Sequence, residues 1–256
     1  MLGSAGPRHI SFDATGQLPP CDDVAMRTER VPCGDAGSMS LFVWEPTGAP
    51  VGSVLLIQEI FGVGPYIRAV AERLADAGYV VAAPDVFWRF APNWESAHDQ
   101  EGLGASMQAV GQLDFPQAIG DCVTALGTLA SMSPSGPKPA VMGFCLGGTL
   151  AFAVAAAGDP SCCVSYYGSG VPSMLDMLPS ITCPTLLHFG NADAFIPNEG
   201  VDAVSAAIAG NDRVLLNVED AGHAFDNHES EMFWNESAAK AAWAKTMSFL
   251  TKHATA

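Results

Sequence analysis

Positive charge is scarce in this chain. The 256 residues include 11 lysines and arginines against 27 aspartates and glutamates, which gives a formal net charge of −16. A surface this acidic repels phosphate backbones and anionic lipids, so we expect neither nucleic acid nor a membrane surface as a partner. An anionic small molecule would need a local cationic pocket.

Paired cysteine motifs and long apolar runs are also missing. The seven cysteines are odd in number and include no CxxC pair, which argues against a disulfide framework and against a zinc site. The first twenty residues contain no apolar signal core, and no apolar run is long enough to cross a bilayer. These features predict a cytoplasmic protein without a bound metal.

Short apolar runs alternate with helical patterns along most of the chain. Strand-like runs occupy residues 39–44, 53–58, 79–84 and 184–190, and the intervening segments place apolar residues at helical spacing. This alternation predicts one α/β domain over residues 25–256, with a mostly parallel sheet and helices on both faces. Residues 1–24 are expected to form an extended arm, and residues 89–113 a surface loop with helical pieces.

The segment GFCLGG contains the clearest chemical signal. It joins an apolar strand to an Ala-rich helix, and Gly143, Cys145 and Gly147 have the spacing of a nucleophile elbow with cysteine in place of serine. The helix N-terminus would stabilise a thiolate. A buried structural cysteine is the alternative for Cys145, and it is the preferred interpretation for Cys162, Cys163 and Cys183.

A nucleophile needs a base, and the base needs an orienting acid. His223 follows the strand-like run RVLLNVE, whereas His188 lies inside an apolar run and His98 precedes the nucleophile. Asp193 follows another strand, 48 residues after the cysteine, and is preferred to Asp220, which lies too close to the histidine on one loop. The order nucleophile, acid, histidine fits this type of site.

Five motifs together resemble the dienelactone hydrolases, also called carboxymethylenebutenolidases. They are QEIFG, PDVFWRF, GFCLGG, GNADAFIP and AGHAF, in this order over roughly residues 25–253. The resemblance implies an α/β-hydrolase fold and a Cys-His-Asp triad of Cys145, His223 and Asp193. It further implies hydrolysis of a small ester or lactone through an acyl-thioester, without a cofactor.

The resemblance also assigns roles near the nucleophile. Glu59, at the end of an apolar strand, would interact with the thiol and help to control its ionisation. The backbone N–H groups of Ile60 and Leu146 would form the oxyanion hole.

The resemblance covers only some of the residues that bind the substrate in this family. Arg89 matches an arginine that binds the substrate carboxylate, but a second such arginine is replaced by Asn227, preceded by Asp226. We expect Asp226 to repel an anion, which favours a different or uncharged ester. Three aromatic residues flank the motifs and are candidates for an apolar acyl pocket: Phe61, Trp88 and Phe195.

Three alternatives remain open from the sequence. The first is a broader carboxylesterase or thioesterase, and the second is a non-catalytic binding protein that retains the pocket. The third, a redox protein based on Cys162 and Cys163, is disfavoured because vicinal pairing is strained.

Overall fold

A computed structural model describes residues 26–34, 37–132 and 136–255. The arm predicted for residues 1–24 lies outside the described residues. The strands are β1 (Met26–Pro32), β2 (Ser38–Trp44), β3 (Gly52–Ile57), β4 (Tyr79–Pro84), β5 (Ala140–Phe144), β6 (Cys163–Tyr166), β7 (Thr185–Gly190) and β8 (Val214–Glu219). The α-helices are α1 (Pro65–Asp76), α2 (Gln100–Val110), α3 (Phe115–Met132), α4 (Leu146–Ala157), α5 (Asn198–Ala207) and α6 (Glu236–His253).

The eight strands form one sheet in the order β1-β2-β4-β3-β5-β6-β7-β8. β2 pairs antiparallel with β1 and with β4, and every pairing from β4 to β8 is parallel. The predicted mostly parallel sheet is therefore confirmed. β1 was not predicted, because its exposed face carries charged residues and it lies at the edge of the sheet.

Burial explains why the central strands contain unbroken apolar runs. All residues of β3, β5 and β7 are buried, since helices cover both faces of the sheet. α4 is buried around most of its circumference and packs on β5 and β6. α1 and α6 meet where the guanidinium of Arg73 stacks 3.7 Å from the ring centre of Trp243.

Two helices, α2 and α3, follow β4, where the sequence pattern is least regular. α2 lies within residues 89–113, and the side chain of Asp99 caps it by accepting the N–H of Gly102. α3 begins next to Asp114, whose side chain accepts the N–H of Gln117 and so caps the helix. Among the residues that the structure describes, no helix is both long and apolar enough to span a bilayer.

The strand order reverses around β3, which lies between β4 and β5. In an open parallel sheet, a reversal of this kind leaves a crevice beyond the carboxyl ends of the strands. Glu59 follows β3 and Cys145 follows β5, while Asp193 and His223 follow β7 and β8. The topology thus directs four predicted site residues to one edge.

Candidate active site

Cys145 occupies a strained turn between β5 and α4. Its φ of 53° and ψ of −115° lie outside the usual regions for a residue with a side chain. A Cβ atom at Gly143 would lie 2.0 Å from the carbonyl oxygen of Gly147, and one at Gly147 would lie 2.2 Å from that of Ile57. Glycine is required at both positions because the backbones approach so closely.

His223 connects the thiol to a carboxylate. Its Nε2 lies 3.2 Å from Sγ of Cys145, and its Nδ1 lies 2.7 Å from Oδ2 of Asp193. The other oxygen of Asp193 accepts the backbone N–H groups of Phe195 and Ile196, at 2.7 and 3.1 Å. The carboxylate is therefore fixed, and it can hold the imidazole in the tautomer with the proton on Nδ1.

The surroundings of His223 favour its protonated form. Burial by itself lowers the pKa of His223, but the charge of Cys145 and the hydrogen bond to Asp193 outweigh it and raise the pKa to about 10. The imidazole is therefore a strong acceptor for the proton of the neighbouring thiol.

Glu59 is buried and lines the same site, but its hydrogen bonds are not with the Cys145 thiol, as the resemblance implied. Its Oε1 lies 2.7 Å from Nε2 of His98 and 2.8 Å from Nδ2 of Asn227, while the thiol of Cys145 contacts His223. Burial raises the pKa of Glu59, and the hydrogen bond from His98 opposes that shift. Sequence reasoning missed His98, because it looked only for a base that follows the nucleophile.

A cavity of about 280 Å³ opens at this edge of the sheet. Its polar lining residues include Glu59, Cys145 and His223. Ile60 and Leu146, the two residues predicted to form the oxyanion hole, also line it. Most of the other lining residues are apolar, and none is a lysine or arginine: Phe61, Leu103, Met107, Val110, Phe115, Thr149, Ser169, Gly170, Phe195, Ala224 and Phe233.

Two residues predicted to bind substrate lie outside the lining of this cavity. The guanidinium of Arg89 donates to both carboxylate oxygens of Asp121, at 2.9 and 2.8 Å, and stacks 4.3 Å from the ring centre of Trp88. The indole N–H of Trp88 also donates to Asp121, at 2.9 Å. Contact of Arg89 or Trp88 with a substrate stays a prediction.

Asp226, which was expected to repel an anionic substrate, is buried in contact with α1. Its carboxylate is fully buried, accepts the hydroxyl of Tyr66 at 2.9 Å and lies 3.8 Å from the guanidinium of Arg73. Burial raises the pKa of Asp226 to about 6, although Arg73 opposes the shift. The side chain contacts α1 and does not line the cavity, so its repulsion of an anionic substrate stays a prediction.

The three cysteines predicted to be structural do not line the cavity. Cys162, Cys163 and Cys183 are buried and free, and burial raises the pKa of Cys162 to about 12. Their burial agrees with a structural role. Within the described ranges, no three or more His, Cys, Asp and Glu side chains form a group that could hold a metal ion.

The fold and the strained cysteine turn define an α/β-hydrolase. Residues 39–254 match the model of the dienelactone hydrolase family, and the chain belongs to that family, as its motifs predicted. It is 31% identical over 215 residues to carboxymethylenebutenolidase 1 of Cupriavidus pinatubonensis, covering 84% of this chain and 92% of the relative. It is 33% identical over 200 residues to a carboxymethylenebutenolidase of a Pseudomonas species, covering 78% and 84%.

Solved structures give the same fold. A dienelactone hydrolase-like promiscuous phosphotriesterase from metagenomic libraries superposes with a TM-score of 0.74 at 21% identity, covering 90% of this chain and 98% of the other. A dienelactone hydrolase from Anabaena variabilis gives 0.66 at 20% identity, with the same coverage. The protein is accordingly an enzyme of the carboxylic-ester hydrolase class, with a small molecule as its substrate.

Proposed function

We propose that this protein hydrolyses a small, uncharged ester or lactone through a Cys-His-Asp triad and an acyl-thioester intermediate. The observation that carries the proposal is the alignment of Cys145, His223 and Asp193 at 3.2 and 2.7 Å at one end of the apolar cavity. A nucleophile, a base and an orienting acid in this arrangement can complete acyl transfer without a further group.

The first half of the reaction forms the thioester. Asp193 accepts a hydrogen bond from the Nδ1–H of His223, so Nε2 is free to take the proton of the Cys145 thiol as sulfur attacks the carbonyl carbon. The oxyanion accepts hydrogen bonds from the backbone N–H groups of Ile60 and Leu146. When the tetrahedral intermediate collapses, the carbon–oxygen bond breaks and the alkoxide takes the proton from Nε2.

The second half releases the acid. Water enters the cavity and gives a proton to Nε2 of His223 while its oxygen attacks the thioester carbonyl. The second tetrahedral intermediate expels the sulfur of Cys145, which recovers the proton. The products are the carboxylic acid and the free enzyme, so protons and electrons balance over the cycle.

The lining of the cavity supports an uncharged acyl group. A carboxylated substrate, which the name carboxymethylenebutenolidase suggests for the relatives, needs a cation, whereas the cavity lining includes the carboxyl group of Glu59 and neither lysine nor arginine. A volume of about 280 Å³ lies just below the roughly 300–1,000 Å³ of most ligand sites. It suits a short or single-ring acyl group.

A broader carboxylesterase or thioesterase is the second candidate. The exposed ring of Phe195 and the half-exposed Met107 border the cavity, which leaves the alcohol side open to leaving groups of different sizes. Comparison of neutral lactones with 4-nitrophenyl and thioester substrates of the same acyl group separates the two candidates through kcat/KM.

The test combines turnover with detection of the intermediate. We expect hydrolysis of 4-nitrophenyl acetate and butyrate, little hydrolysis of cis- or trans-dienelactone, and an acyl adduct on Cys145 by mass spectrometry after a rapid acid quench. Cys145→Ser should lower kcat/KM at least about a hundredfold. Cys33→Ser is the matched control, since Cys33 is another partly exposed free thiol and lies beside β1.

Two results would contradict the proposal. If wild type hydrolyses no ester or lactone while its circular dichroism spectrum shows a folded protein, the non-catalytic binding protein becomes the better explanation. If dienelactones are preferred to neutral esters, a cation must reach the cavity, and the predicted role of Arg89 regains support.

A further inference from the structure

Glu59 is a buried carboxylate with two hydrogen-bond partners on one oxygen. Its residue is 1% exposed, and Oε1 lies 2.7 Å from Nε2 of His98 and 2.8 Å from Nδ2 of Asn227. The three residues come from three separate segments of the chain. A buried charge needs such partners, because an unpaired carboxylate at this depth costs several kcal/mol.

The hydrogen bonds of Asn227 fix the direction of its own contact. Its Oδ1 accepts the backbone N–H of Glu229 at 3.0 Å, so Nδ2 is the atom that faces Glu59 and must donate. When Glu59 is ionised, Oε1 can only accept, and Nε2 of His98 then carries the proton of the second contact. Two N–H groups converge on a single oxygen.

His98 is held in one position by burial and by contacts with its neighbours. Its side chain is 7% exposed and its ring lies 4.3 Å from the ring of Phe61, which lines the cavity. Its carbonyl oxygen accepts the hydroxyl of Ser230 at 3.4 Å. The next residue, Asp99, caps α2, so the imidazole stands where the chain enters the helix that forms one wall of the cavity.

The contact matters because Glu59 and Cys145 line the same cavity. A carboxylate free to turn towards the sulfur would repel the thiolate and so favour the unreactive neutral thiol. While Oε1 is fixed between two donors, this repulsion is weaker, and the thiol stays paired with His223 at 3.2 Å.

We propose that His98 is a positioning residue: with Asn227 it clamps Oε1 of Glu59 and keeps this carboxylate away from the Cys145 sulfur. It touches neither the nucleophile nor the base among the contacts described above and acts through Glu59. The inference rests on the proposed role of Cys145 as nucleophile.

The experiment measures iodoacetamide alkylation of Cys145 at pH 7 by peptide mass spectrometry, which requires no ester turnover. His98→Ala should slow alkylation about tenfold, because the released carboxylate disfavours the thiolate. His98→Gln should stay within about twofold of wild type, since the Gln amide nitrogen can occupy the place of Nε2 and donate. His228→Ala is the matched control: it removes a nearby imidazole that contacts Tyr66 and Glu229, and it should not change the rate.

A double-mutant cycle separates positioning from packing. In a Glu59→Gln background the carboxylate charge is gone, so adding His98→Ala should change the alkylation rate less than about twofold. The KM for 4-nitrophenyl acetate should also be unchanged in His98→Ala, because the Asp99 cap still holds α2.

Several results would overturn the inference. They are an alkylation rate of His98→Ala equal to or above that of wild type, the same tenfold loss in the Glu59→Gln background, and a raised KM with normal alkylation, which would mean that His98 only supports the cavity wall. If alkylation follows the expected pattern but no ester is turned over, the proposed function fails and the positioning role stands.

Discussion

Replacing Asp193 with asparagine is the most demanding test of the proposed triad. The backbone N–H groups of Phe195 and Ile196 both donate to Oδ1, and in the variant they would hold the amide oxygen at that position. The amide nitrogen must then face Nδ1 of His223, where the wild-type protein has an acceptor. The imidazole is forced to carry its proton on Nε2.

The size of the effect follows from this geometry. With a proton on Nε2, His223 cannot accept the thiol proton across the 3.2 Å contact, so the general base is lost. The equivalent change in a serine enzyme costs about 10⁴ in kcat. A thiol loses its proton more easily than a hydroxyl, so we expect a loss of about 10²–10³ in kcat/KM, or roughly 3–4 kcal/mol.

The assay is hydrolysis of 4-nitrophenyl butyrate together with alkylation of Cys145, at equal protein concentration and with circular dichroism as a check of folding. Asp220→Asn is the matched control, because Asp220 is an exposed acid on the loop that carries His223. It should retain wild-type activity. Activity of Asp193→Asn within tenfold of wild type would refute the orienting role, because the tautomer argument leaves no route to a smaller effect.

Three further predictions concern pH and backbone geometry. Because the pKa of His223 is raised from 6.5 to about 10 in the folded state, its contribution to stability is complete below about pH 6.5 and is lost as the pH rises through about 10. In urea unfolding, the difference in the free energy of unfolding between wild type and His223→Gln should shrink over this pH range. A difference that stays constant with pH would contradict the raised pKa of His223. The pKa of Asp226 is raised from 3.8 to about 6, so folding takes up a proton there and stability falls as the pH rises between these values. Asp226→Asn should remove this fall in the free energy of unfolding between pH 3.8 and about 6. An unchanged pH dependence in the variant would contradict the raised pKa of Asp226. Gly147→Ala should abolish activity and destabilise the fold by about 1–3 kcal/mol, since the new Cβ would lie 2.2 Å from the oxygen of Ile57. Gly127→Ala in α3, where the new Cβ meets nothing within 4 Å, should instead raise the thermal midpoint. Equal behaviour of the two glycine variants would contradict the close-approach argument.

The strand ends were predictable because their signals are local. An apolar run followed by a glycine-flanked cysteine specifies a strand, a tight turn and a helix without reference to distant residues. The apolar run around His188 likewise agrees with its burial in the core. His188 contacts Thr246 at 3.0 Å, and burial lowers its pKa to about 3.

The contacts of Glu59 were not predictable because they are long-range. His98 lies 39 residues and Asn227 lies 168 residues from Glu59 along the chain. No periodicity or spacing connects such segments. The sequence therefore indicated only that Asn227 is not a cation, and not that its amide nitrogen donates to a carboxylate.

The same limit applies to Arg89. Its partner Asp121 lies on α3, 32 residues further along the chain, and the bidentate contact could not be read from the aromatic residues beside the arginine. The residues around Arg89 in the sequence indicate a cation that could bind a substrate. They do not indicate that the carboxylate of Asp121 already pairs with this cation.

Charge pairing within the protein bears directly on the proposed substrate. Arg68 forms an ion pair with Glu95, Arg73 lies beside the buried Asp226, and Arg89 is held by both oxygens of Asp121. A substrate carboxylate bound by one of these three arginines would compete with the internal partner, and in the case of Asp226 it would leave a buried carboxyl group without its cation, at a cost of several kcal/mol. Under the proposed function an uncharged ester needs no such exchange, because it would interact with the thiol, the imidazole and the backbone N–H groups of an apolar cavity.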